Sequence, residues 1–386
     1  MNSIKNVYKS KSAQPKVSSA FTLIEMLVVI VVIGILVAIS VVGYNAVVKS
    51  SRESALKSEL EQAYTDMELS YVDNMTYLTD ASELKKSADT TFNLISYGDE
   101  YCLSGSTAKA GPFYVNSNTK NPQSGTCPPS TVMQGFTAAQ CQALPIYDGT
   151  NDSALRTLTD NRDGTTRSYR IAKLADNKCW MLDNLKLGKT TGTTTLTPAN
   201  TNIATNFTLP QLITTGTASY DIPQAAGPVP GDTGNGATNY GYLYNWPAAT
   251  AGETRTTMPG GSGNAQYSIC PKNWRLPTGG YNADRSNTVG DFPDLDRAFG
   301  GTGQYAESGE ANIAKWQNTG PFKGVFSGGW GGSFDVQGSY GSWWSSSASP
   351  GDSDVAFDAY VSPDGVGPGE DGDGRGGGFG VRCLLN

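Results

Sequence analysis

Residues 18–42 read SSAFTLIEMLVVIVVIGILVAISVV, and this stretch decides how the chain begins. Glu25 is the one charged residue between Phe21 and Val42. As an α-helix at about 1.5 Å per residue, the segment 21–42 covers the roughly 30 Å hydrocarbon core of a bilayer. A charge there costs roughly 2.5–3.5 kcal/mol at the bilayer centre and less near an end. A helix that only crossed a membrane would be more stable with leucine, so Glu25 needs a separate explanation.

The residues before this segment indicate how it is processed. Residues 1–20 contain four lysines and no acidic residue, which favours a cytoplasmic position. A secretory signal has its cleavage site after the apolar run, whereas here the small residues 18–20 precede it. A cut between Ala20 and Phe21 would remove the basic leader and leave a new amine at Phe21. Glu25 lies about one helical turn away, so the two charges can pair within one chain or between neighbouring chains.

The segment AFTLIEMLVVIVVIGILVAI resembles the class III signal of type IV pilins and type II secretion pseudopilins. In that family a prepilin peptidase cuts before the phenylalanine and methylates the new amine, and the glutamate pairs with the amine of an adjacent subunit. The resemblance implies that Ala20 precedes the cut, Phe21 is the mature N-terminus and Glu25 is the assembly carboxylate. Alanine stands where the family usually has glycine, and Val42 where many members have proline. An uncleaved membrane anchor is the alternative.

The composition limits the remaining possibilities. A chain of 386 residues allows two or three domains, and 46 glycines indicate β-rich, loop-rich structure. A formal charge of −7 gives no reason to expect a nucleic-acid partner. An even number of cysteines, all after the membrane segment, favours disulfides in an oxidising compartment. They are Cys102, Cys127, Cys141, Cys179, Cys270 and Cys383.

The chain contains no histidine. This excludes Ser-His-Asp and Cys-His nucleophiles, as well as zinc and iron sites with histidine ligands. A GxGxxG match at 367–372 follows no convincing strand and opens no helix, so we interpret it as a loop. We therefore expect no enzyme activity, no catalytic residue and no cofactor.

Past the membrane segment, apolar residues recur at spacings of three and four: Leu56, Leu60, Ala63, Met67 and Tyr71. This spacing predicts one helix over about 21–72, of which 21–42 is the membrane or filament-core part. Residues 73–130 would supply a small antiparallel sheet of the pilin type, with strands in EYCLSG and AGPFYVNS. Their proximity in the sequence suggests a disulfide between Cys102 and Cys127.

The remaining two-thirds of the chain is organised differently. An alternating strand, RSYRIAKLA, leads through a tight turn to residues 179–181. The Thr-, Gly-, Pro- and Asn-rich stretch at about 188–240 has little to bury, and we interpret it as a long surface insertion.

Several later blocks resemble the Fibrobacter-type major paralogous domain, a bacterial surface module. They are Leu182-Asp183-Asn184-Leu185, Tyr244-Asn245-Trp246, the segment CPKNWRLPT at 270–278, Trp343-Trp344-Ser345-Ser346 and Val381-Arg382-Cys383. The resemblance implies a C-type-lectin-like domain over 131–386 whose termini meet, which fits disulfides Cys141–Cys179 and Cys270–Cys383. The predicted fold class is thus α+β: a long N-terminal helix, a small antiparallel sheet and a C-type-lectin-like domain.

The lectin-like resemblance raises two candidate ligand sites. Four tryptophans could form a platform on which a sugar stacks: Trp246, Trp274, Trp343 and Trp344. Tryptophans in loop-rich folds are, however, more often core residues. Two acidic clusters are weak candidates for a calcium site: Asp160 with Asp163, and Glu370 with Asp371 and Asp373. A solvated acidic loop is the commoner explanation for such clusters. The calcium-dependent sugar-binding motifs of lectins are absent.

These features together predict a subunit of a type IV pilus or related filament, held in the bacterial membrane by one helix and then displayed at the cell surface. Its partners would be the prepilin peptidase, other pilin subunits and the membrane before assembly. The lectin-like domain would meet a glycan or protein, and because a large head would crowd the fibre, a minor or tip position is favoured. The alternatives are a surface receptor or adhesin that does not polymerise, and a type II secretion pseudopilin. A third alternative is an enzyme of the formylglycine-generating type, which is disfavoured because the cysteines are assigned to disulfides.

The first prediction concerns processing. We expect the mature chain to begin at methylated Phe21, because only the cut after Ala20 frees an amine near Glu25. Mass spectrometry of the N-terminal peptide of surface protein would check this. Replacing Ala20 with a bulky residue should leave uncut precursor in the membrane. Surface protein that still carried residues 1–20 would contradict the prediction.

Overall fold

The computed structural model describes residues 22–74, 77–78, 80–97, 100–128, 130–234, 236–258, 263–282, 285–307 and 310–386. It has a mixed α+β architecture in which a long, largely apolar N-terminal helix precedes a sheet-rich region. Ala20 and Phe21, the predicted cleavage residues, lie outside the described residues.

The N-terminal unit is one helix packed on one sheet. Helix α1 covers Leu23–Asn74 and is followed by strands β1 (Thr91–Tyr97), β2 (Glu100–Thr107), β3 (Ala110–Asn116) and β4 (Thr119–Ser124). The strands pair antiparallel in chain order. The predicted stripe Leu56, Leu60, Ala63 and Met67 is buried against them. The first half of α1 is long and apolar enough to cross a membrane, and no other element of the described chain covers it.

The C-terminal region is built from short elements. In chain order they are α2 (Ala138–Gln142), β5 (Arg156–Asp160), β6 (Arg167–Lys173), β7 (Cys179–Met181), β8 (Thr194–Leu196), β9 (Phe207–Leu209), β10 (Ala225–Ala226), β11 (Leu243–Tyr244), α3 (Trp246–Ala249), β12 (Gly263–Asn264), β13 (Trp274–Arg275), α4 (Asp291–Ala298), β14 (Ala306–Glu307), α5 (Ile313–Trp316), β15 (Gly329–Trp330), β16 (Phe334–Asp335), β17 (Gly341–Ala348), β18 (Val355–Val361), β19 (Gly365–Gly374) and β20 (Leu384–Leu385). Single 3₁₀ turns cover Ala81–Glu83, Met133–Gly135, Asp152–Ala154 and Gly236–Thr238.

Two five-stranded sheets organise this region. One has the order β13-β20-β7-β6-β5 and the other the order β12-β17-β18-β19-β14, while β8-β9, β10-β11 and β15-β16 form small ribbons. Successive residues of a strand point to opposite faces. Met181 accordingly belongs to one apolar cluster and Trp180 to another, and Trp344 and Trp343 are divided in the same way. Both faces of these strands are therefore covered.

Residues 188–240 are not a surface insertion with little to bury. Leu196, Leu209 and Leu212 lie in the larger apolar cluster of the C-terminal region, and Ala226 and Val229 lie in a smaller one. Ile222 and Tyr220 are exposed, but these five apolar side chains point inward. The segment therefore contributes to the core of the C-terminal region.

The GxGxxG match at 367–372 is a strand rather than a loop. It lies within β19, which pairs with β18 on one side and β14 on the other. The ring of Tyr360 covers Gly367 so closely that a Cβ there would stand 2.4 Å from a ring carbon. Glycine permits this contact between the paired strands, which is why the segment lacks the side-chain alternation of an ordinary strand.

Three disulfides link Cys102 to Cys127, Cys141 to Cys179, and Cys270 to Cys383. These are the same pairs that the sequence and the resemblance suggest. The third bridge closes the longest loop, with a sequence separation of 113 against 25 for the first. In the chain-entropy description these separations correspond to stabilisation of about 4.8 and 3.5 kcal/mol.

The second prediction follows from these bridges. All seven tryptophans lie between residues 180 and 344, so tryptophan fluorescence monitors only the C-terminal region. Replacing both Cys270 and Cys383 with alanine should lower the Tm measured by tryptophan fluorescence by about 10–20 °C. The matched removal of Cys102 and Cys127 should change it by less than about 2 °C. Equal shifts would mean that the two regions unfold as one unit.

Candidate functional site

Thr22 and Glu25 form a capping box at the start of helix α1. The carboxylate of Glu25 accepts hydrogen bonds from the backbone N and the hydroxyl of Thr22, both at 2.8 Å. The Thr22 hydroxyl accepts in return from the backbone N of Glu25 at 3.3 Å. The pattern Thr-x-x-Glu is a helix-start signal visible in the sequence, and it gives Glu25 a local role that needs no neighbouring subunit.

The apolar half of α1 is a surface that is not covered by the rest of the chain. Every described residue in 22–41 is exposed, including Leu23 at 82%. A continuous apolar surface of this length is far larger than soluble monomers leave open. It therefore requires lipid or other helices around it, with Glu25 near one end.

The four candidate ligand-platform tryptophans are core residues. Trp246, Trp274, Trp343 and Trp344 are fully buried. Their indole N–H groups donate to Ser345 O, Met133 O, Asn184 Oδ1 and Tyr244 O respectively. With no ring face open to solvent, they cannot stack on a sugar, and the platform hypothesis is wrong. Trp343 and Trp344 are adjacent in strand β17 and are both buried because one apolar cluster covers each face of the strand.

Several of the resemblance-carrying residues meet in one buried polar contact. Asn184 accepts from Trp343 Nε1 at 2.6 Å and from Arg382 Nε at 2.8 Å. Arg382 also donates to the carbonyl oxygens of Phe322 and Lys323. Burial lowers the pKa of the Arg382 guanidinium to about 9, which leaves it charged at neutral pH. These polar side chains are buried in the core, where they hold the fold together and do not face a ligand.

The first acidic cluster is fully occupied by arginines. Asp160 and Arg162 form a buried ion pair at 2.7 Å, and Arg162 also donates to Ile269 O. Asp163 accepts from Arg167 at 3.1 Å and from the backbone N of Gly188. The calcium hypothesis fails here because both carboxylates are already paired with arginines. The hydrogen bond from Gly188 to Asp163 also fixes the start of the segment that follows Gly188.

The second acidic cluster is divided between two faces of β19. Glu370 lies on one face, where burial raises its pKa to about 7. Asp371 and Asp373 lie on the other, where they meet Asp358 of β18. Burial, followed by the charges of Asp373 and Asp371, raises the pKa of Asp358 well above its usual value, while the side chain of Ser342 acts in the opposite direction. Glu370 thus leaves the proposed cluster, and Asp358, which the sequence reasoning missed, joins it.

The CPKNWRLPT block supplies a second buried polar contact. Asp291, the first residue of α4, accepts from Arg275 at 2.6 Å, Lys178 at 2.9 Å and both the backbone N and hydroxyl of Thr278 at 2.8 Å. Burial alone would raise the pKa of Asp291, but Arg275 and Lys178 outweigh it and hold the pKa well below the usual range. This network fixes α4 to β13 and to the turn before β7.

An apolar helix with one carboxylate near its start, whose second half lies on a small antiparallel sheet, is the arrangement of a pilus-type subunit. Comparisons with known proteins agree. Residues 15–41 match the prokaryotic N-terminal methylation motif. The type IV wide pilus major component PilA4 of Thermus thermophilus is 27% identical over an alignment of 128 residues. The alignment covers 29% of this chain and 98% of that protein.

Residues 175–384 match the Fibrobacter succinogenes major domain, and because this match covers more than half of the chain, the chain belongs to that family. Both resemblances found in the sequence are therefore confirmed. The 27% identity to the Thermus protein is low, and the relative's alignment covers less than a third of the chain. The larger part of the protein is thus additional to what that pilin contains.

The third prediction concerns Asp291. Replacing it with asparagine leaves Arg275 and Lys178 without their shared counter-ion, which should lower stability by about 3 kcal/mol, or the Tm by about 6–12 °C. Because the folded-state pKa of Asp291 is depressed, its stabilisation is fully present above about pH 4 and is lost as the pH falls further. Thermal melts from pH 7 to pH 2 should show a constant difference in Tm between the two proteins above about pH 4 and a narrowing difference below it, because the stabilisation is lost completely only below the depressed folded-state pKa.

Asp294→Asn is the matched control on the same helix. Asp294 forms an exposed ion pair with Arg297, which contributes at most about 0.5 kcal/mol. A loss in this control equal to that of Asp291→Asn would show that general helix charge, not the buried network, accounts for the effect.

Proposed function

We propose that this chain is a subunit of a type IV pilus or related filament, held in the membrane by the apolar half of α1 before assembly. The observation that carries the proposal is Glu25, a lone carboxylate near the start of an uncovered apolar helix that bears the methylation motif. A carboxylate in that position suits the amine of a neighbouring subunit after cleavage before Phe21. The prepilin peptidase and other pilin subunits are the proposed partners.

We further propose that residues 131–386 form a C-type-lectin-like domain that the filament displays for contact with a glycan or protein on another surface. The C-terminal strand β20 lies between β13 and β7, which supports a domain whose end returns to its interior. A cleft of about 250 Å³ beside β12 and β17, lined among others by Asn264, Tyr281 and Ser347, is the place to look for such a ligand. Its polar groups and its two aromatic rings, Tyr281 and Phe357, are suited to a sugar.

A minor or tip position and the absence of catalysis complete the proposal. A region much larger than a complete related pilin would crowd a closely packed fibre, which supports incorporation at the tip or at low frequency. The lack of histidine and the pairing of all six cysteines in disulfides support a non-catalytic role. The alternatives remain a surface receptor that does not polymerise and a type II secretion pseudopilin.

The fourth prediction separates assembly from capping. Glu25→Gln keeps a capping residue but removes the charge, whereas Thr22→Val removes the hydroxyl of the box but keeps the charge. We expect Glu25→Gln, like Glu25→Leu, to insert and be cleaved normally but to enter filaments at least tenfold less. An unpaired buried charge costs roughly 3–5 kcal/mol at each subunit contact. Thr22→Val should assemble almost as well as the wild type.

The measurement is the ratio of sheared filament protein to membrane-retained protein for each variant. Equal surface display of the wild type and both Glu25 variants would favour a non-polymerising anchor. If Glu25→Gln assembles normally while Thr22→Val and Glu25→Leu both fail, the capping box rather than the charge accounts for the defect.

A further inference from the structure

Three aspartates converge on one face of the hairpin formed by β18 and β19. Asp358 stands directly opposite Asp371 in the strand register, and Asp373 follows two residues later on the same face. One carboxylate oxygen from each lies within 4.8 Å of the others. The register shifts next to Asp358, between Asp358 and Tyr360, and such irregularities commonly redirect side chains toward a site.

Asp358 is the residue that distinguishes this cluster from an ordinary acidic surface. Its side chain is fully buried, and neither carboxylate oxygen has a hydrogen-bond partner of normal geometry within the described chain; the side chain of Ser342 is the one donor group close to it. Buried polar groups almost always have a partner, and a buried carboxylate with two carboxylates beside it is especially unfavourable. Asp371 is exposed and Asp373 is partly buried, so the cluster opens to solvent on one side.

We propose that Asp358, Asp371 and Asp373 bind a divalent cation of the calcium type. Calcium binds oxygen ligands at about 2.3–2.6 Å, so two oxygens on one ion are at most about 5 Å apart, which the cluster satisfies. The absence of histidine and the pairing of every cysteine in a disulfide remove the ligands that softer metals prefer. Calcium accepts irregular geometry and water as remaining ligands, whereas magnesium requires a near-ideal octahedron.

The bound ion would supply the partner that the Asp358 carboxylate lacks and would offset three negative charges held close together. It would also join β18 to the open end of β19, where the strand pairing has few apolar side chains. None of the three aspartates lines the proposed glycan cleft. The cluster lies on β18 and β19 and Glu25 on α1, so the inference does not depend on filament assembly.

The test uses the full-length chain purified in a mild detergent and freed of metal by a chelator. The Tm is followed by tryptophan fluorescence while calcium chloride or magnesium chloride is added. We expect calcium to bind with a Kd of about 10⁻⁴–10⁻³ M and to raise the Tm by about 3–6 °C at ten times that concentration. Magnesium at the same concentration should raise it less. Terbium luminescence excited through Trp344, which stands opposite Asp358 on β17, gives an independent measure of binding.

Two variants and a control decide the assignment. Asp371→Asn changes an exposed side chain and should fold normally but bind calcium at least tenfold more weakly, and Asp358→Asn should show no calcium response. Asp364→Asn removes an exposed carboxylate from the same hairpin and should behave as the wild type. A wild-type protein without a calcium-dependent Tm, or an Asp371→Asn variant that binds as the wild type does, would overturn the proposal.

Discussion

The buried guanidinium of Arg382 is the interaction on which the larger region depends. It lies two residues before the last strand and meets Asn184, the carbonyl oxygens of the loop at 322–323, and the rings of Phe322 and Trp343. A buried charge is tolerable only when its donors are used, and here the acceptors come from segments 198 and about 60 residues before Arg382 in the chain. The position of the C-terminal strand and the positions of these earlier segments thus depend on one another.

The N-terminal part of the fold could be predicted because its signals are local. The stripe through Leu56, Leu60, Ala63 and Met67 repeats over several turns, and each member is buried where the period places it. The strands in EYCLSG and AGPFYVNS, and the bridge that ties them to Cys127, follow from short-range pattern and proximity. The capping role of Glu25 is likewise indicated by a local signal, the threonine three residues before it.

The C-terminal region was harder to predict because its order depends on pairing between distant segments. Leu196, Leu209 and Leu212 are isolated among threonines, so their burial leaves no periodic signal. Strand β19 consists largely of glycine and acidic residues, and its pairing is made by the backbone. Asp358 meets Asp371 only through the register of that hairpin, so no spacing along the chain indicates the cluster.

The position of two disulfides has a mechanical consequence. A load that enters from α1 passes through the Cys102–Cys127 bridge and then reaches Cys141, whose bond to Cys179 carries it directly into β7. Residues 142–178, including β5 and β6, are therefore bypassed by the tension and cannot be pulled out lengthwise. Cys270–Cys383 closes the other end beside β20, next to β7 in the same sheet. A domain carried on a fibre in flowing water would be limited in how far it extends by covalent bonds, even where its hydrogen bonds yield.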